Sequence, residues 1–135
     1  MSIIHTITKS YGTPEGEISG TVSLTGAAEY NIDCAIAPST TDQLINISPI
    51  TRSRLKSIAI WAYAAPGQAA CTLKTNASSV PQDNISLADG VPIVWSFDYD
   101  GWTACPFIGD VTSLYVTNAD AVHSLEFKLT LLFSV

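Results

Sequence analysis

The sequence predicts an all-β domain built as an antiparallel β-sandwich. Three observations carry that expectation. Apolar and polar residues alternate with period two along several segments, and turn residues interrupt the chain at the spacing of a sandwich or barrel. No window sustains the i, i+3, i+4, i+7 repeat of an amphipathic helix. Helical runs do not alternate with the strands, which argues against a parallel α/β sheet.

Taken in order, Ile3 to Thr8 is a predicted strand, and residues 1–10 are expected as an N-terminal arm or edge strand. Gly12-Thr13-Pro14-Glu15-Gly16 is the first turn signal. Ile18, Val22 and Leu24 then alternate with Ser19, Thr21 and Ser23 up to Thr25-Gly26. Tyr30, Ile32, Cys34 and Ile36 alternate with Asn31, Asp33 and Ala35, and Ala37-Pro38-Ser39 closes that strand. Leu55 to Tyr63 is more continuously apolar and is expected as a central strand covered on both faces. A turn is expected at Pro66-Gly67, then a strand over Ala70 to Thr75, then turns at Asp89-Gly90 and Asp100-Gly101. Ile93-Val94-Trp95 and Leu114-Tyr115-Val116 are short apolar strands. Asp98 to Gly109 is expected as a long structured loop. Leu125, Phe127, Leu129, Leu131 and Phe133 share one face of the last strand, opposite Glu126, Lys128 and Thr130.

Composition narrows the function. The chain has 135 residues, the size of one domain, so residues 1–135 are expected to form a single sandwich. Apolar residues make up 47%, charged residues 13%, and mean hydropathy is +0.27, which excludes general disorder. Six Lys plus Arg against twelve Asp plus Glu give a net charge of −6, so no basic footprint exists for nucleic acid. No run reaches the roughly 18 to 20 apolar residues that span a bilayer, and the first residues lack the pattern of a secretion signal. Sequons at Asn46, Asn76 and Asn84 are therefore read as chance in a Ser/Thr-rich chain. Cys34, Cys71 and Cys105 are odd in number and widely spaced, which points to buried structural thiols and reduced, intracellular synthesis.

Catalytic and cofactor patterns are missing from the sequence, and the expectation is a non-enzyme without metal or cofactor. Only His5 and His123 could serve a nucleophile, neither lies in a nucleophile motif, and no Gly-x-Ser-x-Gly elbow occurs. Phosphate-cradling glycine motifs are absent too. Asp98 and Asp100 could act as paired carboxylates or begin a calcium loop, but such spacing more often solvates a turn. Tyr99 and Trp102 lie beside those acids and could stack on a sugar or anchor an interface; the competing role is closing one end of the sandwich. Asp98, Tyr99, Asp100 and Trp102 are thus the candidate binding residues. Arg52-Ser53-Arg54-Leu55-Lys56 is the one basic cluster, a strand-edge guard or a contact for an acidic partner. Trp61, Tyr63, Trp95 and Tyr115 are expected in the core.

Several segments carry a resemblance. They are Thr72-Leu73-Lys74-Thr75-Asn76, the strand Gly90-Val91-Pro92-Ile93-Val94-Trp95, the Pro106-Phe107 loop, and Leu114-Tyr115-Val116-Thr117-Asn118. Across residues 30 to 133 the chain resembles small β-rich virion proteins of tailed bacteriophages, similar to jelly-roll capsid decoration (cement) proteins. The resemblance implies a jelly-roll sandwich on the capsid surface. It implies a dimer or trimer that binds the major capsid protein and clamps neighbouring capsomers. The Ser2 to Thr8 arm could add a strand to an open sheet edge. The alternative is a carbohydrate- or receptor-binding sandwich of a phage tail or fibre. A jelly-roll hydrolase or isomerase would need a His/acid metal set that two separated histidines do not supply.

Overall fold

A computed structural model describes residues 2–64 and 70–134. The expected turn at Pro66-Gly67 lies outside the described residues. The first two strands, β1 (Ile3–Thr13) and β2 (Gly16–Gly26), form a hairpin with unbroken register from Ile3↔Gly26 to Thr13↔Gly16. Its turn is the Gly12 to Gly16 signal, where Gly16 adopts φ +148°, a conformation that side-chain-bearing residues rarely take. Residues 1–10, expected as an arm or edge strand, therefore supply most of one half of a paired hairpin.

Two four-stranded antiparallel sheets follow. The first has the order β3 (Ala28–Ile36), β10 (Leu125–Phe133), β5 (Leu55–Tyr63), β8 (Ile93–Ser96). The second has the order β4 (Thr40–Ile45), β9 (Leu114–Asn118), β6 (Ala70–Thr75), β7 (Asn84–Ala88). The all-β antiparallel sandwich expected from the sequence is present. Among the described residues, helix is confined to a 3-10 turn at Arg52–Arg54 and one α turn, α1 (Phe97–Asp100).

Period two decides the interior. Leu125, Phe127, Leu129 and Leu131 of β10 pack beside Ile58, Ile60 and Ala62 of β5, and Leu73, Leu114 and Val116 face them from the second sheet. Trp95, Phe107 and Phe127 are the largest side chains sealed in this core. Asn118 is a buried polar knot. Its amide nitrogen donates to the carbonyls of Ile36, Ala37 and His123, and its Oδ1 accepts from the Asp120 N–H. Buried amides need such partners, so this side chain pins β9 to the end of β3 and to the turn before β10.

Parity also overturns part of the expected core. On β5 the residues opposite Ile58, Ile60 and Ala62 face outward, so Trp61 is half-buried and Tyr63 is exposed. The two rings stack on each other at 5.5 Å, with the Lys128 ammonium 5.4 Å over Trp61. Tyr115, between inward Leu114 and Val116, is likewise only half-buried. Trp95 alone of the four lies in the core. Strands β4 and β7 had no sequence signal of their own: β4 opens on the polar run Thr40-Thr41-Asp42-Gln43, and β7 has five residues.

Candidate functional site

The hairpin crosses the outer face of the first sheet. Its base is held beside β3 and β10. Gly26 sits so close to the sheet that a Cβ there would lie 2.6 Å from Leu132 and from the Phe133 carbonyl oxygen. His5 Nε2 meets the Glu29 carboxylate at 2.6 Å, and Ile7, Leu24 and Leu132 form a small separate core under the hairpin. Between β1 and the sheet runs a cleft of about 570 Å3, floored by Ser57, Ala59, Val94 and Thr130. Farther along, Lys9 Nζ lies 3.5 Å from Asp100 Oδ1 and 5.0 Å over the Tyr99 ring. Beyond that anchor the hairpin projects as a finger, and every residue from Thr8 to Thr21 is exposed.

The finger carries a defined pattern. Tyr11 and Ile18 are cross-strand partners, 68% and 74% exposed, and Glu15 and Glu17 lie at the tip. Cross-strand aromatic–aliphatic pairs stiffen a two-stranded ribbon.

The four predicted binding residues share α1 and its following turn, but they do not form one site. Ser96 caps α1 through its Oγ, which accepts from the Tyr99 N–H, while Asp100 Oδ2 accepts from the Ser96 N–H. Tyr99 and Asp100 are thereby turned to Lys9 and hold the finger. Trp102 lies on another flank, 6.0 Å from Trp95, 5.0 Å from Phe97, and with the Arg52 guanidinium 4.5 Å from its centre. Asp98 is exposed beside a hollow of about 310 Å3 lined by Lys56, Phe97, Trp102 and Ser134. The carboxylates therefore do not converge on a common atom. Lys9, Phe97 and Arg52 complete these contacts. Lys9 reaches Asp100 across 91 positions of sequence, a separation that leaves no local signal.

Of the basic cluster, Lys56 lines this hollow, and Arg52 and Arg54 bond to two of its lining residues. Arg52 donates to the Trp102 carbonyl and Arg54 donates twice to the Ser134 carbonyl, so among the described residues both side chains bond main chain rather than carboxylates, and the buried Arg52 Nε has no hydrogen-bond partner. Among the described residues, Lys56 has no ion-pair partner.

Other titratable groups serve local structure. Hydrogen bonds from the Val122 and His123 N–H groups, and from the His123 ring, hold the Asp120 carboxyl at about 2. Burial pushes the Cys71 thiol up to about 11, and burial followed by the charge of Asp33 raises Cys34. A raised thiol is a poor nucleophile at neutral pH. The described cysteines are all free; of the three expected as buried thiols only Cys71 is buried, and Cys34 and Cys105 are half-buried. Among the described residues no group of three or more His, Cys, Asp or Glu side chains is placed to hold a metal ion.

Comparison with protein-family models, with curated proteins and with solved structures finds no match for the chain.

Proposed function

We propose that this chain is a structural virion protein, a capsid decoration protein that binds the major capsid protein on the outer shell and braces neighbouring capsomers. The observation that carries the reading is the preformed finger on a closed, well-packed sandwich. Ten residues at its tip, Ser10 to Ser19, are exposed on both strands. Rigid surfaces lose little freedom on docking, so binding energy is available to hold partners together. The nested pairing of β3 with β10, β4 with β9, β5 with β8 and β6 with β7 supports the jelly-roll version of the sandwich. Many copies on a symmetric shell add avidity, so each contact can be modest. A homodimer or homotrimer suits a brace placed at a symmetry axis.

Purified virions test the reading. Mass spectrometry is expected to find the chain in near-stoichiometric amount with the major capsid protein. Particles lacking it are expected to release DNA at lower temperature or under osmotic shock. A few copies per particle, or equal heat resistance with and without the chain, refutes bracing.

A second reading, a carbohydrate- or receptor-binding module of a tail or fibre, draws on the exposure of Tyr99 and Trp102, 44% and 40%. Exposed aromatic rings beside carboxylates suit sugar stacking. Glycan-array binding that disappears in Trp102→Ala supports this second reading; an array with no binding removes it.

A further inference from the structure

Two surfaces of the molecule are unfinished in opposite senses. At the finger tip, Glu15 and Glu17 have no ion-pair partner among the described residues, and Tyr11 and Ile18 stand exposed beside them. Beside α1, Lys56 lines the hollow, where Phe97 and Trp102 are each 40% exposed, and Arg52 and Arg54 bond to the carbonyls of its lining residues Trp102 and Ser134; among the described residues none of these three side chains has an ion-pair partner. Each of the other three cations is matched within the chain: Lys9 with Asp100, Lys74 with Asp42, Lys128 with Asp33 and Glu126. Among the described residues, the cations left without an ion-pair partner therefore gather at one place, beside exposed rings. Two acids left without cations gather at another, beside exposed apolar side chains.

The finger cannot satisfy its own hollow. It is anchored to α1 at Lys9, and its register continues unbroken to Thr13↔Gly16, so it stays extended past the anchor. The four residue pairs beyond Lys9↔Gly20 carry the tip about 13 Å outward at the usual strand rise. A second molecule is the partner whose surface offers both the charge and the apolar area in the right combination. Asp98 is the one acid on the hollow's lining; Lys56 lines it too, and Arg52 and Arg54 bond to its lining residues Trp102 and Ser134.

We infer that the tip of the finger, Tyr11 to Ile18, docks in the Lys56/Phe97/Trp102 hollow of a second copy of this chain. Glu15 and Glu17 meet Arg54 and Lys56 there, and Tyr11 and Ile18 cover the rings of Phe97 and Trp102. This rests on reading the chain as a homo-oligomeric brace and names the surface that joins its copies. The contact combines apolar burial with charge pairing, so it weakens with salt but does not vanish.

Analytical ultracentrifugation of the full chain tests it. The wild type is expected to self-associate at micromolar concentration. The exposed double substitution E15K/E17K is expected to weaken association at least tenfold while leaving the thermal midpoint unchanged. Lys56→Glu is expected to weaken it similarly, and mixing the two variants is expected to restore a heteromeric complex. Association that survives E15K/E17K and Lys56→Glu alike overturns the finger contact and leaves the homo-oligomer standing. A wild type that stays monomeric at 100-fold higher concentration overturns both.

Discussion

His5 Nε2 lies 2.6 Å from Glu29 Oε2, joining the first strand of the hairpin to the edge strand of the sandwich. The two residues are 24 positions apart, and neither side chain is fully exposed. The contact is the polar half of the hairpin's attachment, and the small core of Ile7, Leu24 and Leu132 is the apolar half.

Removing the polar half should loosen the finger without unfolding the sandwich. Glu29→Ala is expected to cost about 0.5 to 1 kcal/mol, the range of a partly exposed ion pair. Hydrogen exchange should speed up in residues 3–26 and stay slow in β5 and β10. The His5 hydrogen bond, then that of Asn31, holds the Glu29 carboxyl below its ordinary value. A depressed carboxyl stabilises the fold above the ordinary glutamate range and loses that contribution as pH falls through its folded value. The difference between wild type and Glu29→Ala should therefore shrink on acidification.

The apolar half should matter more. Leu24 is buried against Leu132, and Leu24→Ala is expected to cost about 2 to 4 kcal/mol, limited by release of the finger. Gly26→Ala should act on the same joint, because the added methyl meets the Phe133 carbonyl as well as Leu132, with a cost of about 1 to 3 kcal/mol. Limited proteolysis reads both: cleavage is expected between residues 3 and 26 before any cut in the sandwich. A Gly26→Ala protein as resistant as wild type contradicts this close approach.

Asn118→Asp keeps the shape of a buried side chain and replaces its amide donors with a carboxylate facing three carbonyl oxygens. The expected loss is about 2 to 4 kcal/mol, since buried acceptors lose their donor and a charge loses its solvent. Urea unfolding measures it, as a lower midpoint at unchanged slope.

Asp120 gives the clearest pH signature. Its folded value of about 2 lies below the ordinary aspartate value of 3.8, so its contribution is present above about pH 4 and disappears as pH falls toward 2. The thermal midpoint of Asp120→Ala should lie below that of wild type at pH 6 and converge with it near pH 2. A constant gap across that window would show that the Val122, His123 and His123-ring hydrogen bonds do not favour the ionised carboxyl.

Local pattern was enough where one face of a strand is wet and the other dry. The alternation specified β10 and the inward Leu125, Phe127, Leu129 and Leu131, but not Leu132, which is buried under the hairpin, nor Phe133, which is half-buried past a register shift. Gly12 to Gly16 specified the first turn because proline fixes φ and glycine admits the positive φ that the turn uses. The candidate site was legible only in part. Tyr99, Trp102, Asp98 and Asp100 were found as a cluster in sequence, and α1 does gather them. Their partners Lys9 and Arg52 come from distant strands and loops, so no spacing rule could connect them.

By itself the amino-acid order determined the class: short alternating strands, little helix, free thiols, an acid surplus and one basic run. These are properties of neighbouring residues, and periodicity and composition report them directly. Tertiary structure alone decided that Trp95 is sealed while Trp61 and Tyr63 face outward, because hydrophobicity does not say which side of an apolar strand meets the second sheet. It also decided which strand follows which across each sheet, since different antiparallel sandwiches share one linear pattern. Finally, it set the hairpin across the first sheet and left its tip in solvent, a result of long-range packing at Gly26, Leu132 and Asp100 rather than of any residue's own preference.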